Sequence, residues 1–374
     1  MPRIALFQDY LAQNGGAERV TEAIHRTLPQ AELHTTMAVP ERLSSYLGSL
    51  DIATTWMQSL PAKAKLYRHY FLLYPFAIES ADLKGYDLIL SSCCGYAKGV
   101  RRGERAVHVC YCHNLMRWVW RFPQYMRQEN FSRPLKAALR LMVEGLKQWE
   151  MRAARRPDYY IANSHIVAQR LKAAFGVEAT VIEPPIDTSR FRVSRNIEDY
   201  YLILSRLNAY KRIDLAVEAC TLTGRKLVVI GDGPDRDRLK AMAGPNVSFL
   251  GRQSDAAVSR YASHCRALIF PGEEDFGMAP LEVNAAGRPV VAFAAGGATE
   301  TVSEGMNGVL FDTQNVDSLI QGLERLEAQS WDSAAIRRNA HRYDIEVFRD
   351  RLLDYLYQVS PAVRGLHLLQ RRAG

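Results

Sequence analysis

The 374-residue chain lacks the marks of a secreted or membrane-spanning protein. Its six cysteines form no Cys-x-x-Cys pair and no zinc-like spacing, so neither a disulfide framework nor a structural zinc site is expected. Of the six, Cys93, Cys94, Cys110, Cys112, Cys220 and Cys265, most sit in apolar, strand-like runs, which predicts buried, reduced thiols. No stretch holds eighteen uninterrupted apolar residues, and no basic segment leads into an apolar one at the start. A cytosolic protein is the expectation. Internal repeats and low-complexity segments are also missing. Gly231-Asp-Gly-Pro234 begins like a dinucleotide fingerprint, but the complete Gly-x-Gly-x-x-Gly is not there. By itself it reads as a turn.

What is present is an ordinary globular composition, 48% hydrophobic and 24% charged, in a chain longer than single cores usually grow. Two domains are expected. The net charge of +8 is unevenly placed: residues 101–156 hold 13 Lys+Arg against 4 Asp+Glu, and the remainder is nearly balanced. Trp118, Trp120, Phe122, Tyr125, Phe131 and Trp149 lie within that basic block. Basic residues mixed with aromatics suit nucleic acid or an anionic membrane surface, and equally a solvated helix face over an aromatic core.

Apolar runs alternate with helical patterns along the whole chain. Strands are predicted over 3–7, 86–91, 106–111, 159–162 and 180–182, then 201–205, 226–230, 247–250, 267–270, 290–293 and 309–311. In the first half, helices are predicted over 17–28, 62–76, 134–155 and 166–175. Strands alternating with helices imply parallel sheets covered on both faces. The polar, aperiodic stretch near 193 divides the chain into domains 1–192 and 193–344, followed by a last helix over 345–357 and a basic tail within 345–374.

The most informative segment is Glu274-Asp-Phe-Gly-Met-Ala-Pro-Leu-Glu282, two carboxylates with seven residues between them. It lies between the strand at 267–270 and a short helix over 278–286. The carboxyl edge of a parallel sheet is where ligands bind. Backbone N–H groups at Phe276, Gly277 and Met278 would point from the helix start toward an anion or sugar oxygens. Ionised carboxylates beside them accept several hydroxyl hydrogen bonds at once. Arg206 and Lys211 follow the strand at 201–205 and reach the same edge, where two cations can neutralise a diphosphate.

This set resembles the retaining glycosyltransferases of family 4, which have the GT-B fold. The resemblance covers nearly the whole chain: Gly15 and Gly16, His113, Asn163-Ser164, Pro184-Pro185-Ile-Asp187, Arg206 and Lys211, Glu274 and Glu282, then Gly296-Gly297. It implies two Rossmann-like domains facing across a cleft, the first for the acceptor and the second for a nucleotide sugar, with a C-terminal helix returning to the first. Glu274 is implied to hold donor-sugar hydroxyls and Glu282 the ribose. Arg206 and Lys211 are implied to clamp the diphosphate, Gly16 to offer its N–H across the cleft, and His113 to reach the sugar. No cofactor and no metal are expected, because the two cations take over the role of Mg²⁺. The details look most like bacterial mannosyltransferases of O-antigen and exopolysaccharide assembly. That implies GDP-mannose as donor, a polyprenyl-diphosphate-linked or polysaccharide acceptor, peripheral attachment to the inner face of an anionic membrane, and no nucleic-acid partner. His113-Asn114-Leu115 departs from the frequent His-Thr-Pro, and Gly16-Ala-Glu-Arg19 from Gly-Gly-Glu-Lys; the first bears on acceptor choice more than on catalysis. A nucleotide-sugar epimerase and a basic nucleic-acid-binding module are the alternatives.

Overall fold

A computed structural model describes residues 2–120, 122, 132–361 and 363. The chain divides into two units, one of residues 1–182 with 349 onward, the other of residues 183–348. The observed division thus falls ten residues before the expected boundary after 192, and the last helix, Ile345–Val359, straddles the second division. Its Arg351 donates to the Val181 carbonyl at 2.8 Å.

The first unit carries a seven-stranded sheet in the order β3-β2-β1-β4-β5-β6-β7. Its strands are β1 (Ile4–Gln8), β2 (Glu32–Thr35), β3 (Ile52–Thr54), β4 (Leu88–Cys93), β5 (Val107–Cys112), β6 (Tyr159–Ala162) and β7 (Thr180–Val181). The second unit carries six in the order β10-β9-β8-β11-β12-β13: β8 (Tyr201–Leu204), β9 (Leu227–Ile230), β10 (Val247–Gly251), β11 (Leu268–Phe270), β12 (Val290–Phe293) and β13 (Gly308–Phe311). Every pairing among the described residues is parallel.

Burial explains the apolar runs. In the second sheet Ile203, Val229, Ile269 and Val291 enter one core, while Leu202, Ile230, Leu268 and Val290 enter another on the opposite face. A strand buried on both faces cannot alternate with polar residues, and each such aliphatic side chain contributes roughly 1.5–3 kcal/mol when removed from water. Five of the six cysteines are buried and all six are free thiols; Cys94 is half-buried.

Two expectations fail locally. The helix expected over 62–76 is two short pieces, Lys63–Leu66 and Tyr74–Glu79. Pro75 sits in the first turn of the second piece, where its missing N–H costs nothing but where a continuous helix is broken. Strands β2 and β3 were not anticipated; β2 alternates and β3 is largely exposed at the sheet edge, so neither forms an apolar run.

In both sheets the strand order reverses once, between β1 and β4 and between β8 and β11. The crevice outside the carboxyl ends of those strands is where an open α/β sheet receives its ligand.

Candidate active site

In the second unit the expected residues gather at the carboxyl edge. Arg206 is exposed on the loop after β8, and Lys211 closes the short turn Ala209–Lys211 that follows. Glu274 lies on the loop after β11, and the helix Met278–Ala285 starts from Gly277 in the left-handed region at φ 88°. Glu282, 9% exposed, sits one turn into that helix, while Phe276 is buried with its ring 5.8 Å from that of Tyr343.

The loops are interlocked by glycines. Glu274 and Gly296 form a parallel bridge, and the Gly297 N–H donates to the Glu274 carbonyl at 2.9 Å. A Cβ on Gly296 would collide with the Glu274 carbonyl oxygen, and one on Gly297 with the Phe276 backbone. Only residues without a Cβ let the loop after β12 approach so closely. The glycine loop thus braces the carboxylate loop from behind.

Lys211 and Glu274 are paired directly, Nζ donating to Oε1, with each side chain 15% exposed. The cation expected to clamp phosphate and the carboxylate expected to hold sugar are therefore in contact. Their combined surface presents donors and an acceptor side by side, which suits a ligand that is anionic at one end and hydroxylated at the other.

In the first unit, His113 follows β5 at the carboxyl edge, 9% exposed. Its Nε2 is 2.9 Å from Ser92 Oγ, and Thr21 Oγ1 lies 3.0 Å from Ser92 and 2.8 Å from Gln8 Oε1. Burial pushes the imidazole pKa down to about 4, so the ring is neutral near pH 7. A neutral imidazole can exchange hydrogen bonds with a hydroxyl but does not carry the charge of a general acid. Gly15 caps the helix Gly16–Thr27, and its N–H donates to Glu18 Oε2 at 3.0 Å; Gly16, exposed, is the first helical residue. Asp9 was missed. Just past β1, its buried carboxylate accepts the N–H groups of Cys94 at 2.7 Å, Tyr96 at 3.0 Å and Ala97 at 2.5 Å. A carboxylate one residue beyond a strand at the reversal point was the available signal.

Residues 14–190 match the family described as Glycosyltransferase Family 4, and residues 186–343 match Glycosyl transferases group 1. The chain belongs to the GT-B glycosyltransferases. The fold likeness covers nearly all of the chain. Anabaena Alr3699/HepE, solved in complex with UDP and glucose, superimposes with a TM-score of 0.72 at 19% identity, covering 95% of this chain and 99% of that one. The sucrose-phosphate synthase of Thermosynechococcus elongatus gives 0.70 at 18%, with 96% and 99% covered. Among curated relatives, a GDP-mannose-dependent alpha-(1-6)-phosphatidylinositol monomannoside mannosyltransferase of Mycolicibacterium smegmatis is 30% identical over 209 residues, 46% of this chain and 54% of the relative. A GDP-mannose-dependent alpha-mannosyltransferase of Corynebacterium glutamicum is 35% identical over 174 residues, 41% and 42% respectively. The chain thus spans about half the length of the curated relatives it matches.

The basic block of this glycosyltransferase resolves into two parts. The long helix is Arg133–Ala153, and its apolar residues divide between the core and the solvent. Leu146 is buried and Trp149 donates to Glu79 at 2.8 Å, whereas Leu135, Ala138 and Met142 are exposed and Leu139 is half-buried. Leu141 is 77% exposed. Several cations are engaged: Arg101 and Arg156 pair with Glu79, Arg102 with Asp158, and Lys147 lies 4.6 Å from the Trp120 ring centroid. Arg140, Arg152 and Arg155 are exposed. Tyr125, Phe131 and the tail arginines Arg371 and Arg372 lie outside the described residues, as does the side chain of Lys136.

Glu150, on the same helix, was also missed. Wholly buried, it pairs with Lys98 at 2.7 Å and accepts from the Met116 N–H at 3.0 Å and the Trp120 indole at 2.8 Å. It fastens the helix to the segment that follows His113.

Among the described residues no group of three or more His, Cys, Asp or Glu is placed to hold a metal ion. One Asp-x-Asp triplet does occur, Asp235-Arg236-Asp237, and there the Asp235 carboxylate is taken by Arg238 at 2.6 and 2.8 Å. A cleft of about 640 Å³ lined by Arg155, Tyr159, Thr180 and Tyr355 opens at the amino ends of β6 and β7. It lies at the sheet edge opposite His113.

Proposed function

We propose that the protein is a retaining, metal-independent hexosyltransferase that moves mannose from GDP-mannose onto a lipid-linked or polysaccharide glycan. The observation that carries the reading is the Lys211–Glu274 pair, braced by Gly296 and Gly297 above the start of the helix that bears Glu282. Arg206, Lys211 and the N–H groups at Phe276, Gly277 and Met278 serve the diphosphate, stabilising the charge that grows on it as the glycosidic bond breaks. Glu274 orients the sugar and Glu282 the ribose. In the first unit, Gly15, Gly16 and neutral His113 are assigned to donor binding. With the departing diphosphate on the face where the acceptor attacks, configuration is kept without a covalent intermediate.

The GDP-mannose preference is supported by the Mycolicibacterium and Corynebacterium relatives, both GDP-mannose-dependent mannosyltransferases. No described helix is long and apolar enough to cross a membrane. We assign the acceptor contact to the exposed part of the helix Arg133–Ala153, where Leu141 and Met142 neighbour Arg140. Cations near an anionic leaflet contribute about 1 kcal/mol each, and apolar side chains add to that.

A donor screen tests the function. GDP-mannose is expected to be turned over with or without chelator, and Glu274→Ala to lower the rate by at least about 100-fold, the usual cost of losing a transition-state contact of this kind. Turnover of a different sugar nucleotide with GDP-mannose inert would refute the donor. Full activity in Glu274→Ala would refute the site.

A further inference from the structure

We propose that the Lys211–Glu274 ion pair makes the donor site select the intact nucleotide sugar against the nucleoside diphosphate left after transfer. The inference rests on the donor-site reading above and concerns what that site rejects. Glu274 is then the residue that decides this specificity, acting by repulsion as well as attraction.

Lys211 and Glu274 are held face to face from behind. The Lys211 backbone is crowded by Gly272, where a Cβ would stand 2.7 Å from the Lys211 carbonyl oxygen. The Glu274 backbone is fixed by the Gly296 bridge and by the Gly297 N–H. With each side chain only 15% exposed, water replaces little of what either loses when the pair parts.

The two ligands part the pair differently. A nucleoside diphosphate draws the Lys211 ammonium to its phosphate oxygens and offers Glu274 nothing in return. The carboxylate then loses its cation, gains an anionic neighbour and keeps no new donor. An intact nucleotide sugar draws Lys211 in the same way but brings hydroxyl groups, whose O–H bonds the freed carboxylate accepts. Glu274 therefore weakens the product and strengthens the donor. Once the sugar has left, re-forming the pair favours departure of the diphosphate. A site made only of cations would do the reverse, since the product carries more charge on its terminal phosphate than the esterified donor.

Calorimetric titration of GDP and GDP-mannose into wild type, Glu274→Gln, Glu274→Asp, Lys211→Met and the double variant Glu274→Gln/Lys211→Met tests this. In Glu274→Gln, GDP is expected to bind about three- to tenfold more tightly and GDP-mannose on the order of tenfold more weakly, which reverses the order of the two ligands. Glu274→Asp keeps the charge and should not tighten GDP. In the Lys211→Met background, adding Glu274→Gln should change GDP affinity by less than about twofold, because there is no pair left to break. GDP affinity in Glu274→Gln equal to or weaker than wild type overturns the proposal. The donor-site reading fails differently: Lys211→Met would then bind GDP as tightly as wild type, or GDP would bind none of the five proteins. Melting curves on each variant separate a changed site from an unfolded one.

Discussion

Replacing Lys98 by Met is the sharpest test of how the first unit positions His113. Lys98 and Glu150 are both fully buried and paired at 2.7 Å, and the ammonium also donates to the Gly95 carbonyl at 2.6 Å. Removing the cation leaves a carboxylate in the interior with two remaining donors, the Met116 N–H and the Trp120 indole. Breaking a buried pair from one side costs about 3–5 kcal/mol, and the two surviving hydrogen bonds place this case near the lower end, about 3 kcal/mol. For a unit of this size each kcal/mol lowers the melting temperature by roughly 2–4 °C, so a loss of about 6–12 °C is expected. The double variant Lys98→Met/Glu150→Gln carries no charge at this pair, and its amide oxygen still accepts from Met116 or Trp120. It should recover most of the loss and sit within about 1 kcal/mol of wild type. Scanning calorimetry and urea titration of the two variants decide the matter. A single variant no less stable than the double would show that the charge is not confined as the structure places it.

Two further outcomes are expected. The His113 pKa of about 4 lies below its ordinary 6.5, so between those values the unfolded chain binds more protons; stability is complete above about 6.5 and falls as pH drops toward 4. His113→Gln should remove up to about 1.4 kcal/mol per pH unit of that slope in urea titrations, and an unchanged slope would count against a buried neutral imidazole. Vesicle sedimentation should show binding that needs anionic lipid, weakens with salt and falls at least about tenfold in Leu141→Glu/Met142→Glu; equal binding to neutral vesicles would remove the membrane role.

Much of the fold was legible because parallel strands covered on both faces leave a strong trace. The runs at 159–162 and 290–293 match β6 and β12 residue for residue, since nothing polar interrupts either strand and, of their residues, only the leading Tyr159 is exposed. Strand β3 left no such trace: its Ile52, Ala53 and Thr54 lie at an exposed edge, where backbone pairing rather than burial defines the element. The placement of the candidate site was legible for a related reason. Glu274, Arg206 and Lys211 were singled out by spacing and family resemblance in segments that follow apolar runs, and the structure sets them on the loops after β11 and β8.

What the sequence could not supply is pairing between segments far apart in the chain. That Ser92 would meet His113 depends on β4 lying beside β5 with Cys93 opposite Cys112, a register that no local pattern encodes. The contact of Lys211 with Glu274 depends likewise on β8 lying beside β11, sixty-three residues apart at the pair itself. The same topology decides which glycines matter. Gly296 and Gly297 look like a turn in sequence, yet the reason for their small size is the backbone of Glu274 and Phe276 pressed against them. A substitution there acts on the carboxylate without touching it, so in this fold the support of the site is as local to the carboxyl edge as its chemistry.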